Sequence, residues 1–150
     1  MQRRELRFRD QFVADIEEMV VTQHLLEIHI LTNRLAVCRL PSGSPVPTWA
    51  SGNFIAVVQT AHETSIVCDK EVVPVDVQCQ PGWAALMVVG PLDFALTGVL
   101  AAIAVPLADA GVSIFAVSTF DTDYILIPID RLAIAVRTLS DAGHRVVTPD

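Results

Sequence analysis

The side chains able to do chemistry are few and scattered. Histidines stand at His24, His29, His62 and His144. His24 and His29 straddle an expected change from helix to strand, so they do not share a face as a pair of metal ligands must. His62 falls at an expected turn tip and His144 in the turn before the last strand, and a surface or half-buried role is expected for both. Cys38, Cys68 and Cys79 form an odd set without Cys-x-x-Cys spacing. Such a set is no disulfide framework, and Cys38 and Cys68 read as small buried hydrophobes in strands. Asp121 and Asp123 are two apart at a strand start, where their carboxylates can lie on one side and do acid–base work. A short turn favours Asp for backbone reasons alone. There is no Gly-rich phosphate loop, no dinucleotide fingerprint and no Gly-x-Ser-x-Gly elbow. With no nucleophile beside a base, an enzyme is disfavoured, and no catalytic residue, cofactor or metal site is expected.

The elements that position these residues follow from pattern. Of 150 residues, 52% are apolar and 18% charged, with a formal charge of −7 and a single lysine, Lys70. This excludes a disordered chain and gives no basic surface for nucleic acid. The longest apolar stretch, Phe94 to Ala108, is broken by Thr97, Gly98 and Pro106 and is too short to span a bilayer. After the arginines at 3, 4, 7 and 9 come Asp15, Glu17 and Glu18 rather than a signal-peptide core, so the cytoplasm is expected.

Residues Arg4 to Thr22 carry Phe8, Phe12, Val13, Ile16, Met19 and Val20 at helical spacing, which predicts an N-terminal helix. Leu26, Ile28 and Ile30 alternate with Glu27 and His29 as in a half-buried strand, and 35–40 is a second strand. Phe54–Thr60 and Thr64–Cys68 form an expected hairpin, and Val72 to Gly82 reads as a linking segment. Then come a strand at 84–89, a helix at 94–110 capped by Asp93 and Gly111, strands at 113–118 and 124–128, a helix at 131–142 capped by Asp130 and Gly143, and a strand at 145–147. The order βαββαβ is the ferredoxin-like split unit of an α+β protein, with both helices on one face of the sheet.

The stretches Gly90-Pro-Leu-Asp-Phe94, Pro106-Leu-Ala-Asp-Ala-Gly-Val-Ser-Ile-Phe115 and Ser118-Thr-Phe-Asp-Thr-Asp-Tyr-Ile-Leu126 resemble the small bacterial ACT-domain proteins. Their modules are related to those of the cytosolic arginine sensors of animal cells. The strands Arg34-Leu-Ala-Val-Cys-Arg-Leu-Pro41 and Thr64-Ser-Ile-Val-Cys68 share the resemblance, which runs from about Leu26 to Val147. It implies two tandem ACT-like modules, an abbreviated one over 25–80 and a second over 81–150, behind a helical extension at 1–24. It also implies a small ligand, usually an amino acid, bound at a module interface.

A helix N-terminus suits an α-carboxylate, and Ala95, Leu96, Thr97 and Gly98 are placed to supply its N–H donors. Ser113 and Ile114 are expected to offer a strand edge and one hydroxyl, and Asp123, with Thr122 beside it, to meet the ligand's ammonium. The resemblance implies pocket positions at Gly98, Ser113 and Asp123. Close helix–sheet packing alone also explains Gly98, and Ser113 is also explained as a plain strand residue. Leu96 stands where the arginine sensors carry an acid, which favours a ligand with a neutral or apolar side chain. The expectation is a cytoplasmic, homodimeric, non-catalytic regulatory protein that senses a small molecule, with neither nucleic acid nor membrane as partner. The alternative is a structural oligomerisation domain acting through protein–protein contacts.

Overall fold

The computed structural model describes residues 25–93 and 97–149. The segment Arg4–Thr22 and the site candidates Ala95 and Leu96 lie outside the described residues. The chain is mixed α+β: β1 (Glu27–Ile30), β2 (Leu35–Pro41), β3 (Ala56–Gln59), β4 (Glu63–Asp69), β5 (Cys79–Val88), α1 (Val99–Asp109), β6 (Phe115–Ser118), β7 (Asp123–Pro128), α2 (Leu132–Asp141) and β8 (Arg145–Val147). All eight strands join one sheet.

The ten-residue β5 is its spine. On one edge β2 pairs with Cys79–Trp83 and β1 with Leu86–Val88, while β7 pairs with Trp83–Met87 on the other. From β2 the sheet continues through β4 to β3, and from β7 to β6. The expected βαββαβ order holds from β5 onward, but that unit does not close on itself. β1 lies between its first strand and its last, antiparallel to β5 and parallel to β8.

Alternation along the strands gives each face its core. Ile28, Ile30, Ala84, Leu86, Val88, Ile125 and Ile127 meet Ile103 and Leu107 of α1 and Ala135 and Leu139 of α2. On the opposite face Leu35, Val67, Ala85 and Leu126 pack with Phe54, whose ring lies 4.8 Å from Tyr124. Among the described residues, 25–78 hold four strands and a 3-10 turn at Lys70–Val72 but no α-helix. Connector residues such as Trp49, Val73 and Val77 cover Ala36, Cys38, Ile66 and Cys68 there instead.

Several boundaries differ from expectation. The segment read as a linker, Val72 to Gly82, already contains the start of β5. Pro81 and Gly82 are absorbed in a β-bulge, with Leu35 opposite Trp83 and Val37 opposite Gln80, and Gly82 at φ 85°. Asp93 does not cap α1, which begins after Gly98 in a left-handed conformation without a side-chain cap. Asp130 lies in a 3-10 turn, Ile129–Arg131, and α2 follows Arg131, again without a side-chain cap. Gly111 and Gly143 do follow the two helices with positive φ, as expected.

His144 is the largest departure, because it is buried, at 6% exposure, rather than at the surface or half-buried. Pro106 has no N–H, so the carbonyl of Ala102, four residues earlier, loses its helical donor. His144 Nε2 lies 3.0 Å from that carbonyl oxygen, and Nδ1 accepts the N–H of Leu26 at 3.1 Å. An accepting Nδ1 leaves Nε2 to carry the proton. One ring thus joins the entry to β1, the end of α2 and the middle of α1.

Glu63 contributes a modest, testable pH response. Its carboxylate accepts from Ser65 at 2.6 Å and from Arg39 at 3.1 Å, and these bonds hold it below the usual carboxylate range. A depressed carboxyl stabilises the fold above its unfolded value and loses that contribution as pH falls through the folded one. Urea midpoints should therefore fall on acidification below about pH 4.5, with a smaller fall in Glu63→Gln. Equal slopes for both proteins would remove Glu63 from the account.

Candidate ligand-binding site

A cleft of about 200 Å³ opens where the start of α1 meets the β6–β7 turn. Leu92, Asp93 and Val99 form one wall. Ser118, Thr119, Phe120, Asp121, Thr122 and Asp123 form the other.

The second wall is shaped by its own hydrogen bonds. Thr119 N–H donates to the Thr122 carbonyl at 2.8 Å, and Thr122 N–H donates to the Thr119 hydroxyl at 3.2 Å, which closes the turn. The Thr122 hydroxyl donates to the Val88 carbonyl at 2.5 Å, and Leu92 N–H donates to the Asp121 carbonyl at 2.7 Å, so the turn is tied to the end of β5. Gly90 makes this approach possible. A Cβ there would stand 2.8 Å from the Asp121 carbonyl oxygen and 3.3 Å from Thr122 Cβ.

Of the residues expected in the site, the cleft brings together Thr122 and Asp123. Thr122 is buried, with its hydroxyl given to Val88, so it shapes the wall. Asp123 opens β7 and is half-buried, and its Oδ1 accepts the Ser118 hydroxyl at 2.6 Å. A carboxylate accepts at both oxygens, so Asp123 keeps capacity for an ammonium group. Gly98 and Thr97 immediately precede α1, whose first residue, Val99, lines the cleft. Ser113 and Ile114 are not in its lining. They precede β6, which begins at Phe115 rather than 113, and Ile114 packs against the helix-side core.

The sequence pattern does not single out Leu92, Val99, Ser118, Thr119 or Phe120 as site residues; it offers Asp93 as a helix cap, and Asp121 either as a turn residue or as one of a carboxylate pair with Asp123. The Thr-x-x-Thr spacing at 119–122 was the available signal, since it marks a hydroxyl-closed turn. Phe120 at 79% exposure sets an aromatic ring at the rim.

Among the described residues the lining holds three carboxylates, Asp93, Asp121 and Asp123, and no basic side chain. Beside them α1 presents the N–H groups of its first turn, where the helix dipole is positive. Carboxylates suit an ammonium group and helix N–H groups suit a carboxylate. Among the described residues no group of His, Cys, Asp and Glu is arranged to hold a metal ion, and no helix is long and apolar enough to cross a membrane.

Comparison with known proteins agrees with this architecture. Residues 78–141 match the ACT domain family, and residues 33–76 match a separate N-terminal domain family. Among curated proteins nothing matches. Protein Atu0741 from Agobacterium tumefaciens is 34% identical, with 85% of this chain and 96% of that one covered and a TM-score of 0.80. VC0802 from Vibrio cholerae, described as a possible transport protein, is 16% identical over 80% of this chain and 91% of that one, with a TM-score of 0.67. The ligand-free regulatory subunit of aspartate kinase from Thermus thermophilus is 12% identical over 79% and 99%, with a TM-score of 0.57. At such identities the last two show a shared fold.

Proposed function

The chain belongs to the ACT-domain proteins, and from that premise we propose that it is a non-catalytic regulatory protein that binds an amino acid in the cleft at the start of α1. ACT domains are in general regulatory modules for small molecules of this kind. The observation that carries the reading is that Asp123 and Val99, the first residue of α1, line one cleft. The carboxylate meets the ligand's α-ammonium and the helix N–H groups meet its α-carboxylate. We take 25–80 as an abbreviated ACT-like module in tandem with 81–150, acting as a cytoplasmic homodimer. A kinship with the animal arginine sensors belongs to the same proposal.

A thermal-shift screen against the common amino acids tests the reading, because a ligand at one hundred times its Kd adds about 2.7 kcal/mol to stability. Asp123→Asn keeps an acceptor for Ser118 but removes the charge. By calorimetry it should weaken the best ligand about ten-fold, with the melting temperature of the unliganded protein unchanged. Unaltered affinity would remove Asp123 from the site, and no shift with any amino acid would overturn the reading.

One observation favours the second reading, a structural oligomerisation domain. The outward side of α1 is apolar, with Leu100 and Val105 exposed. Under that reading Val105→Asp abolishes a dimer detected by sedimentation, and no small molecule raises the melting temperature.

A further inference from the structure

Three thiols stand in a row across the seam where β4, β2 and β5 meet. Cys38 pairs directly with Cys79 across β2 and β5, and Cys68 on β4 lies opposite Ala36, on the same face as Cys38. The β5 bulge makes this possible. Strict alternation from Trp83 would put Cys79 on the face of Ala85, and the extra residue at Pro81–Gly82 turns it towards Cys38. Arg39 N–H donates to the Gln78 carbonyl at 2.9 Å, which makes the Cys38–Cys79 pair a non-hydrogen-bonded one. The Cα atoms of such pairs lie about 4.5 Å apart, within the span of a disulfide. All three thiols are free; Cys38 and Cys68 are buried and Cys79 is half-buried.

We propose that Cys79 and Cys38 are a redox modification site, in which Cys79 takes up a low-molecular-weight disulfide and Cys38 resolves it into a cross-strand bond. Deprotonated Cys79 attacks one sulfur of the reagent, its S–S bond breaks, and one thiolate leaves. Cys38 then loses its proton to solvent and attacks the Cys79 sulfur, and the second thiolate leaves. Two protein thiols are oxidised and one reagent disulfide is reduced to two thiols. Burial, with Cys68 of β4 and Cys79 of β5 alongside, pushes the Cys38 thiol up to about 12. The second step is therefore slow near neutrality and quickens as pH rises. The bond would staple the N-terminal strands to the ACT unit along β5.

The test treats the full-length reduced chain with excess oxidised glutathione at pH 8, traps residual thiols by alkylation under denaturing conditions, and maps the peptides. The expected product has lost two hydrogens, keeps one alkylatable thiol, and joins the peptides of Cys38 and Cys79. Its melting temperature rises by about 5–10 °C and returns on reduction. Cys38→Ala should stop at a mixed disulfide on Cys79, and Cys79→Ser should stay fully reduced, which keeps the test intact if either variant alone folds poorly. Three alkylatable thiols after treatment, an unresolved mixed disulfide in the parent chain, or a bridge that forms without Cys38 or without Cys79 would overturn the proposal.

Discussion

His144→Ala should lower the stability of the protein by about 3 kcal/mol and its melting temperature by about 10 °C. The substitution removes the acceptor of the Leu26 N–H and the donor of the Ala102 carbonyl in one stroke. Each group then stays poorly solvated without a partner, at a cost of about 1–3 kcal/mol apiece. The carbonyl needs an outside donor only because Pro106 gives it none. Pro106→Ala in the His144→Ala background supplies an amide N–H inside α1 and should recover about 1 kcal/mol. In the parent protein the same change meets a carbonyl already satisfied and should recover less. Chemical denaturation of the four proteins reads this coupling directly. Additive effects would disconnect the ring from the proline.

Gly90→Ala is expected to cost about 2 kcal/mol and to weaken ligand binding at the same time. The new methyl would stand 2.8 Å from a backbone oxygen, that of Asp121, and 3.2 Å from the Leu92 nitrogen. Neither is the end of a flexible side chain, so the two loops must separate. The 2.7 Å Leu92–Asp121 bond and the 2.5 Å Thr122–Val88 bond span the same gap and open with it. Because these bonds set one cleft wall against the other, binding should fall more than in Asp123→Asn, which leaves the wall in place. Denaturation and calorimetry on one preparation separate the two effects. A variant of parental stability and affinity would show that the loops part without consequence.

The contrast between what could be read from the chain and what could not follows from how local each signal is. Gly111 and Gly143 announced the ends of α1 and α2 because a left-handed residue after a helix is a local requirement. The alternation Leu26–Ile30 announced β1 for the same reason. Where β1 would pair was not legible, since its neighbours β5 and β8 lie far along the chain. Pro81 and Gly82 look like linker punctuation until a partner strand turns them into a bulge. His144 looked like an ordinary turn residue because its two partners, Leu26 and Ala102, are 118 and 42 residues away. In the site, Asp123 was legible as an acid misplaced at a strand start. Ser113 was misplaced by two residues of strand boundary, enough to leave it outside the cleft.

The position of β1 has a consequence for how the molecule is made. β1 is held on one side by β5 and on the other by β8, the last of the described strands in chain order. A nascent chain that has emerged as far as α2 already holds β1 to β7 but still presents the outer edge of β1 without its β8 partner. Leu26 and Ala102 wait as well, because their shared partner is His144. Pairing between segments far apart in a chain is slow to form, because the closure entropy of the long loop between them must be met first. Completion of this sheet thus waits for the synthesis of residues 145–147. Until residues 145–147 clear the ribosome, the growing protein exposes a hydrogen-bonding edge that a chaperone, or another nascent chain, can reach first.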